Sequence, residues 1–237
     1  MIPVGRIHEL VRYPVKSMAG TPLQSADLGW HGIEGDRRFA FRRIGDNSNF
    51  PWLSASRLPD LVRYQPLASS DNTFTSVRTP SGAEVDLRGA ELQAEIGERF
   101  GSPVELMELK HGIFDDASIS VISLTTITAI GREAGMELDR RRMRANIVLE
   151  TDAVAPFHED KWVGATLVLG DDESAPAVSI TSLDVRCVMV NIDPDTAEKD
   201  ARVMKAVVRL NGNNAGVYGT VVRRGVIRAG QTVHLVR

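Results

Sequence analysis

Short runs in which apolar and polar residues alternate dominate the first hundred positions: Arg6 to Val11, Pro22 to Asp27, Arg38 to Arg43, Leu61 to Pro66 and Thr73 to Arg78. A period of two bounded by turn residues predicts strands, and the Tyr13-Pro14 step ends the first of them. From Ala90 to Phe100 the period lengthens: Leu92, Ile96 and Phe100 share one helical face, and Gly101-Ser102-Pro103 stops the helix. Strands follow at Val104 to Leu109 and Ile119 to Ile122. Ser123 then serves as N-cap for a helix carrying Leu124, Ile127 and Ile130 on one face, which ends near Gly135. A further helix is predicted to start after Thr196 and run to Leu210, with Asn211-Gly212 as its stop. The chain closes as a meander of Val217 to Arg223, Val226-Ile227 and Thr232 to Val236. The pattern predicts a mainly β chain with some α, its many short strands pointing to a barrel. It divides into a β-rich unit over residues 1–101 and a second unit over 102–237.

Composition narrows the function. The 237 residues are 43% hydrophobic and 25% charged, an ordinary globular balance. A net charge of -3 argues against a general nucleic-acid binder, which needs a positive surplus on some face. The N-terminal segment lacks a signal-peptide pattern, and no apolar run approaches the ~20 residues that span a bilayer, so a cytoplasmic protein that contacts neither nucleic acid nor membrane is expected. There is one cysteine, Cys187, directly after Arg186 and ahead of Asp193-Pro194-Asp195-Thr196. A lone thiol cannot form an internal disulfide or hold zinc by itself; it is either a small buried apolar group or a reactive or metal-binding one.

Two basic segments add candidates. Alternation through Arg142-Met143-Arg144-Ala145-Asn146-Ile147-Val148-Leu149 predicts a strand with Arg142, Arg144 and Asn146 on one face, either a solvated surface or a cradle for an anion. In Tyr13-Pro14-Val15-Lys16-Ser17 a turn after a strand presents an ammonium and a hydroxyl, a weak phosphate signal by itself. No His-x-x-x-His, phosphate-binding P-loop or Gly-x-Ser-x-Gly motif occurs, and the five histidines are too scattered to form a ligand set. The Phe157 to Trp162 segment reads as a loop anchored by its tryptophan.

Several segments, in their order, resemble the molybdenum cofactor sulfurase C-terminal (MOSC) family with its N-terminal β-barrel domain. They are Tyr13 to Ser17, Gly35-Asp36-Arg37, Leu53 to Pro59, Arg142 to Ile147, Glu159 to Trp162, Arg186-Cys187 through Thr196, and the Gly-rich closing strands. The resemblance implies an N-terminal β-barrel-like domain packed on a C-terminal MOSC β-barrel with flanking helices. It also implies that Cys187 is the thiolate ligand of molybdenum in a molybdopterin cofactor, a role suited to a soft donor. Lys16, Ser17, Ser56, Arg57, Arg142, Arg144, Asn146 and Arg186 would bind the cofactor. The chain departs from the family in places: Ser56 stands where relatives carry arginine, with Arg57 one position later. Ala145 replaces a proline, Ala197 a glycine, and Gln231 an aspartate.

Within that family the chain resembles the amidoxime-reducing component and its bacterial relatives, which implies an oxidoreductase that removes oxygen from N-hydroxylated compounds. With no cysteine cluster for iron and sulfur, its electrons would come from a separate ferredoxin, flavoprotein or cytochrome b5 type protein. Family descriptions also mention pyridoxal phosphate, which in the larger sulfurases belongs to a separate domain that no segment here resembles. Two other expectations stay open: a sulfur carrier with a persulfide on Cys187, and a scaffold in which Cys187 only packs.

Overall fold

A computed structural model describes residues 1–69 and 73–237. The first part of the chain forms β1 (Ile2–Arg12), β2 (Thr21–Leu23), β3 (Ser25–Gly29), β4 (Gly32–Ile33), β5 (Phe39–Arg43), β6 (Gln65–Ala68), β7 (Phe74–Arg78), β8 (Glu84–Asp86), α1 (Ala90–Phe100) and β9 (Val104–Glu108). There follow β10 (Ile119–Ser123), α2 (Leu124–Ala134), β11 (Ile147–Thr151), β12 (Thr166–Leu169), β13 (Ala177–Val185), α3 (Ala201–Asn211), β14 (Asn214–Arg223), β15 (Gly225–Arg228) and β16 (Thr232–Val236). Short 3-10 turns link several of these. The fold is mainly β.

Seven strands close a barrel in the order β11-β10-β14-β13-β12-β16-β1, with β1 returning to pair with β11. Closure removes unpaired edges, and inward positions fill the interior: Ile7, Val121, Leu149, Leu167, Val178, Val217 and Val233 are all buried there, with Trp162. The strand that shuts this barrel is thus the first in the chain, although the other six lie beyond residue 118. A further link between early and late sequence is the antiparallel pair β15 and β3.

A second core gathers Phe39, Phe41, Leu53, Leu61, Tyr64, Phe74, Val77, Leu92 and Ile96, and it takes in Ile192 from the later part of the chain. A third lies where α2 and α3 cover the barrel, Ile127, Ile130, Val203 and Val207 packing over Ile122 and Val148. Ser123 caps α2 by accepting from the Thr126 amide, and Gly135 ends it in the left-handed region (φ 69°). Gly101 (φ 81°) ends α1 in the same way.

Four expected elements differ. The run Pro22 to Asp27 is no single strand but divides at Gln24 between β2 and β3. Leu61 begins no strand: Pro59–Arg63 is a 3-10 turn with proline at its start, and β6 begins only at Gln65. The last helix starts at Ala201, not just after Thr196, because Asp193 to Thr196 folds as a turn and Lys199 bridges back to Ile192 before Asp200 caps the helix. The predicted strand through Arg142 begins at Ile147. Asp139 accepts from the Arg141 amide and starts a 3-10 turn over Arg140–Met143, after which Arg144 is left-handed (φ 52°). That turn destroys the alternation, so Arg142, Arg144 and Asn146 do not share a strand face.

Candidate functional site

Strand β13 delivers Asp184 and Val185 to the barrel rim, and Arg186 and Cys187 follow as the chain turns into a 3-10 segment over Val188–Asn191. Arg186 holds this turn in place. Its Nε donates to Ala215 O (2.7 Å), one Nη donates to Met143 O (2.6 Å), and the other lies 2.8 Å from Asp184 Oδ2. With Nε and one Nη hydrogen-bonded, the other Nη in an ion pair but without an aligned hydrogen bond among the described residues, and 8% exposed, Arg186 clamps the rim. Cys187 itself is exposed, which removes the reading of it as a packing residue.

The thiol borders a cavity of about 350 Å³ to which both halves of the sequence contribute. Lys16 and Ser17 come from the turn after β1, Ser54 and Ser56 from the loop before the 3-10 turn at Pro59, and Arg142 and Arg144 from the segment before β11. Asp115, Ser120, Asp184 and Tyr218 complete one wall. Ser17 occupies the left-handed region (φ 69°), which turns its side chain out of the local extended run toward Met189. Ser54 and Ser56 share a 2.7 Å hydroxyl contact.

The cations of this cavity fall into two groups. Arg37, Arg142 and Arg186 have carboxylate partners: Arg37 meets Asp36 and Asp115, Arg142 meets Asp193 (2.9 Å), and Arg186 meets Asp184. Burial pushes the Arg37 pKa down, but Asp36 and Asp115 outweigh it and hold the group raised. Lys16 and Arg144 differ. Lys16 Nζ donates to Phe114 O and Arg144 Nη1 to Met18 O, both at 2.8 Å, and among the described residues neither forms an ion pair. Burial lowers the pKa of both, with Asp115 opposing it for Lys16 and Tyr13 first among the opposing groups for Arg144. Arg144 also stacks on the Tyr13 ring (4.4 Å to the ring centre) and Lys16 Nζ lies 5.6 Å from the centre of the Phe50 ring. Two partly desolvated cations met by carbonyls and aromatic faces, with no carboxylate paired to either among the described residues, make a site that an anion would stabilise. A second hollow of about 380 Å³ shares Arg142, Arg144 and Met189 with this one and is lined by Tyr13, Ala19 and Pro22.

Among the described residues no three His, Cys, Asp or Glu converge on a common point. A metal held at Cys187 would therefore take its remaining ligands from a bound molecule.

Comparison with known proteins shows the family and the fold. The MOSC domain profile matches residues 108–234, and the MOSC N-terminal beta barrel domain profile matches residues 4–111. The chain belongs to the MOSC domain family. It is similar in structure to the YuaD protein from Bacillus subtilis, with a TM-score of 0.54 and 14% identity over 98% of this chain and 95% of that one, a likeness of fold. A YiiM structure from Geobacillus stearothermophilus matches more weakly, with a TM-score of 0.37 and 17% identity over 51% of this chain and 55% of that one. No curated protein matches.

Within this MOSC chain the sequence candidates scatter in an informative way. Lys16, Ser17, Ser56, Arg142, Arg144, Arg186 and Cys187 line the cavity; Arg57 and Asn146 do not. Arg57 is exposed on the outer side of its turn. Asn146 is fully buried: its Oδ1 accepts from Arg37 (3.1 Å) and from the Ser120 amide (3.2 Å), and its Nδ2 donates to Val11 O (3.2 Å). It ties β1 to β10 from inside and has no surface left for a ligand. Arg37, Asp115, Ser120, Asp184 and Tyr218 were not singled out as cavity residues. Gly35-Asp36-Arg37 did stand among the family segments, but the acids gave no signal, since spacing does not reveal that loop 112–118 folds over Lys16.

Ala197 sits at φ 62°, a region costly for a residue with a Cβ. Ala197→Gly is accordingly expected to stabilise the fold by about 0.5–1 kcal/mol, read as a higher urea midpoint at unchanged m-value.

Proposed function

We propose that the protein binds a molybdenum–molybdopterin cofactor in the Cys187 cavity and reduces N-hydroxylated compounds, drawing electrons from a separate ferredoxin, flavoprotein or cytochrome b5 type protein. One observation carries the reading: an exposed, soft thiol borders the same cavity as two half-buried cations, Lys16 and Arg144, that have no carboxylate ion-pair partner among the described residues. Metal and phosphate are the two ends of such a cofactor that a protein grips by charge and by sulfur, and both kinds of donor are present. When bound, the cofactor would supply a two-electron redox centre.

The chain's own residues would bind and orient. Lys16 and Arg144, with the Ser17 and Ser56 hydroxyls beside them, would hold the phosphate. Arg142 is committed to Asn191 O (2.7 Å) and Asp193 and, like Arg186, fixes the loop that carries Cys187. The overall reaction, R–NHOH with two electrons and two protons giving R–NH2 and water, consumes protons, which the carboxyl and hydroxyl groups of the wall could pass inward. To test this, the chain would be expressed in a host that makes molybdopterin, and molybdenum content and reduction of N-hydroxylated compounds with reduced viologen would be measured on one preparation. Stoichiometric metal with no turnover would sink the reductase assignment.

The anion site makes a separate prediction. Inorganic sulfate should bind the cofactor-free protein through Lys16 and Arg144, and Lys16→Met should weaken it about tenfold or more, as loss of a charge-assisted hydrogen bond implies. Burial lowers the Lys16 pKa, so the proton that supports binding leaves early. Sulfate affinity should therefore fall as pH rises, beginning below the ordinary lysine value of 10.5, and calorimetric titration across that range should show no such step in Lys16→Met.

A further inference from the structure

Asp184 is the deeply buried acid of the cavity wall. It is 1% exposed and borders the Cys187 cavity. Its Oδ2 accepts from Ser120 Oγ (2.7 Å) and faces Arg186 (2.8 Å). Its Oδ1 is buried with no hydrogen-bond partner among the described residues. Tyr218 stands beside this carboxyl without completing a well-aligned bond to Oδ1. A buried carboxylate oxygen with both lone pairs idle is costly, and such atoms in folded proteins usually await a ligand or a water.

We infer that Asp184 Oδ1 is the acceptor for a planar amidine-type N–H edge. This rests on the cofactor-binding reading and deepens it. The chemistry follows from what Asp184 lacks: the Arg186 guanidinium and the Ser120 hydroxyl already flank Oδ2, so the free oxygen calls for a neutral, directional N–H donor. Two molecules of that reading carry such an edge. One is the 2-amino-4-oxo ring of the pterin, with its ring N–H and amino group; the other is an N-hydroxyamidine substrate, with its amino group beside the oxime. Ser120 and Arg186 hold the carboxyl so that Oδ1 needs no rearrangement to receive it.

Full-length protein from a host lacking molybdopterin would be titrated with two pairs of probes. Pterin is compared with lumazine, in which an oxo group replaces the amino group, and benzamidoxime with acetophenone oxime, in which a methyl replaces it. Wild type should prefer the amino member of at least one pair by about tenfold, the worth of a hydrogen bond to a charged group. Asp184→Asn should lose that preference. Loss in the pterin pair assigns the edge to the cofactor, and loss in the oxime pair assigns it to the substrate. No preference in wild type, or one that Asp184→Asn retains, overturns the inference, and the wild-type comparison decides even if the variant fails to fold. Molybdenum content separates this result from the broader reading. A metal-loaded wild type without either preference sinks Asp184 alone, whereas an amino preference in a chain that never takes up molybdenum sinks the reductase and leaves the acceptor site standing.

Discussion

Cys187→Ala is expected to abolish molybdenum incorporation while leaving the fold as stable as wild type. The two halves of that result have different physical causes. Cys187 is exposed, with no side-chain hydrogen bond at the start of its 3-10 turn, so truncation removes little packing and should shift stability by no more than about 0.5 kcal/mol. The thiolate would be the protein's direct bond to the metal, because among the described residues no cluster of acids or histidines stands ready to replace it. Cys187→Ser is expected to fail as well, since a hydroxyl is a hard, protonated donor at neutral pH. Elemental analysis of wild type and both variants from the same host provides the check. Metal retained in Cys187→Ala would remove the thiol from the site. Metal absent from all three, with cyanide-releasable sulfur only on wild type, would identify a sulfur carrier instead.

Local pattern was a good guide wherever a segment satisfied itself. The α2 helix, its Ser123 cap and its Gly135 stop follow from neighbouring residues alone, and so do α1 and the closing meander. The pattern failed at Arg140 to Asn146, where apolar residues recur at period two by coincidence. There Asp139 captures an amide and starts a turn, a local hydrogen bond outweighing the alternation. Barrel closure by β1 was not legible, because pairing Gly5 with Thr151 and Ile2 with Leu235 is decided by tertiary packing and leaves no trace in spacing. The same limit applies to the site. Cys187 and Lys16 were legible through the family resemblance. The difference between paired and unpaired cations was not, since it depends on which carboxylates the fold brings within reach: Asp115 to Arg37, Asp193 to Arg142, and, among the described residues, no ion pair to Arg144.

Asn146→Ala should separate folding from binding. The side chain is fully buried and satisfies three groups from different parts of the chain: Arg37, the Ser120 amide and the Val11 carbonyl. Arg37 keeps Asp36, Asp115 and Arg144 O after the substitution, so it stays compensated. The Ser120 amide and the Val11 carbonyl lose these contacts in a closed interior. At about 1–3 kcal/mol for each buried polar group left unpaired, the expected loss of stability is about 3 kcal/mol, or roughly 10 °C in melting temperature for a chain of this size. The cavity lining does not include Asn146, so well below the melting point the variant should still bind sulfate with wild-type affinity. Lys16→Met should do the reverse, keeping the melting temperature and losing the anion. If Asn146→Ala instead kept its stability and lost sulfate binding, the residue would act on the ligand directly, and its place as an internal tie between β1 and β10 would have to be given up.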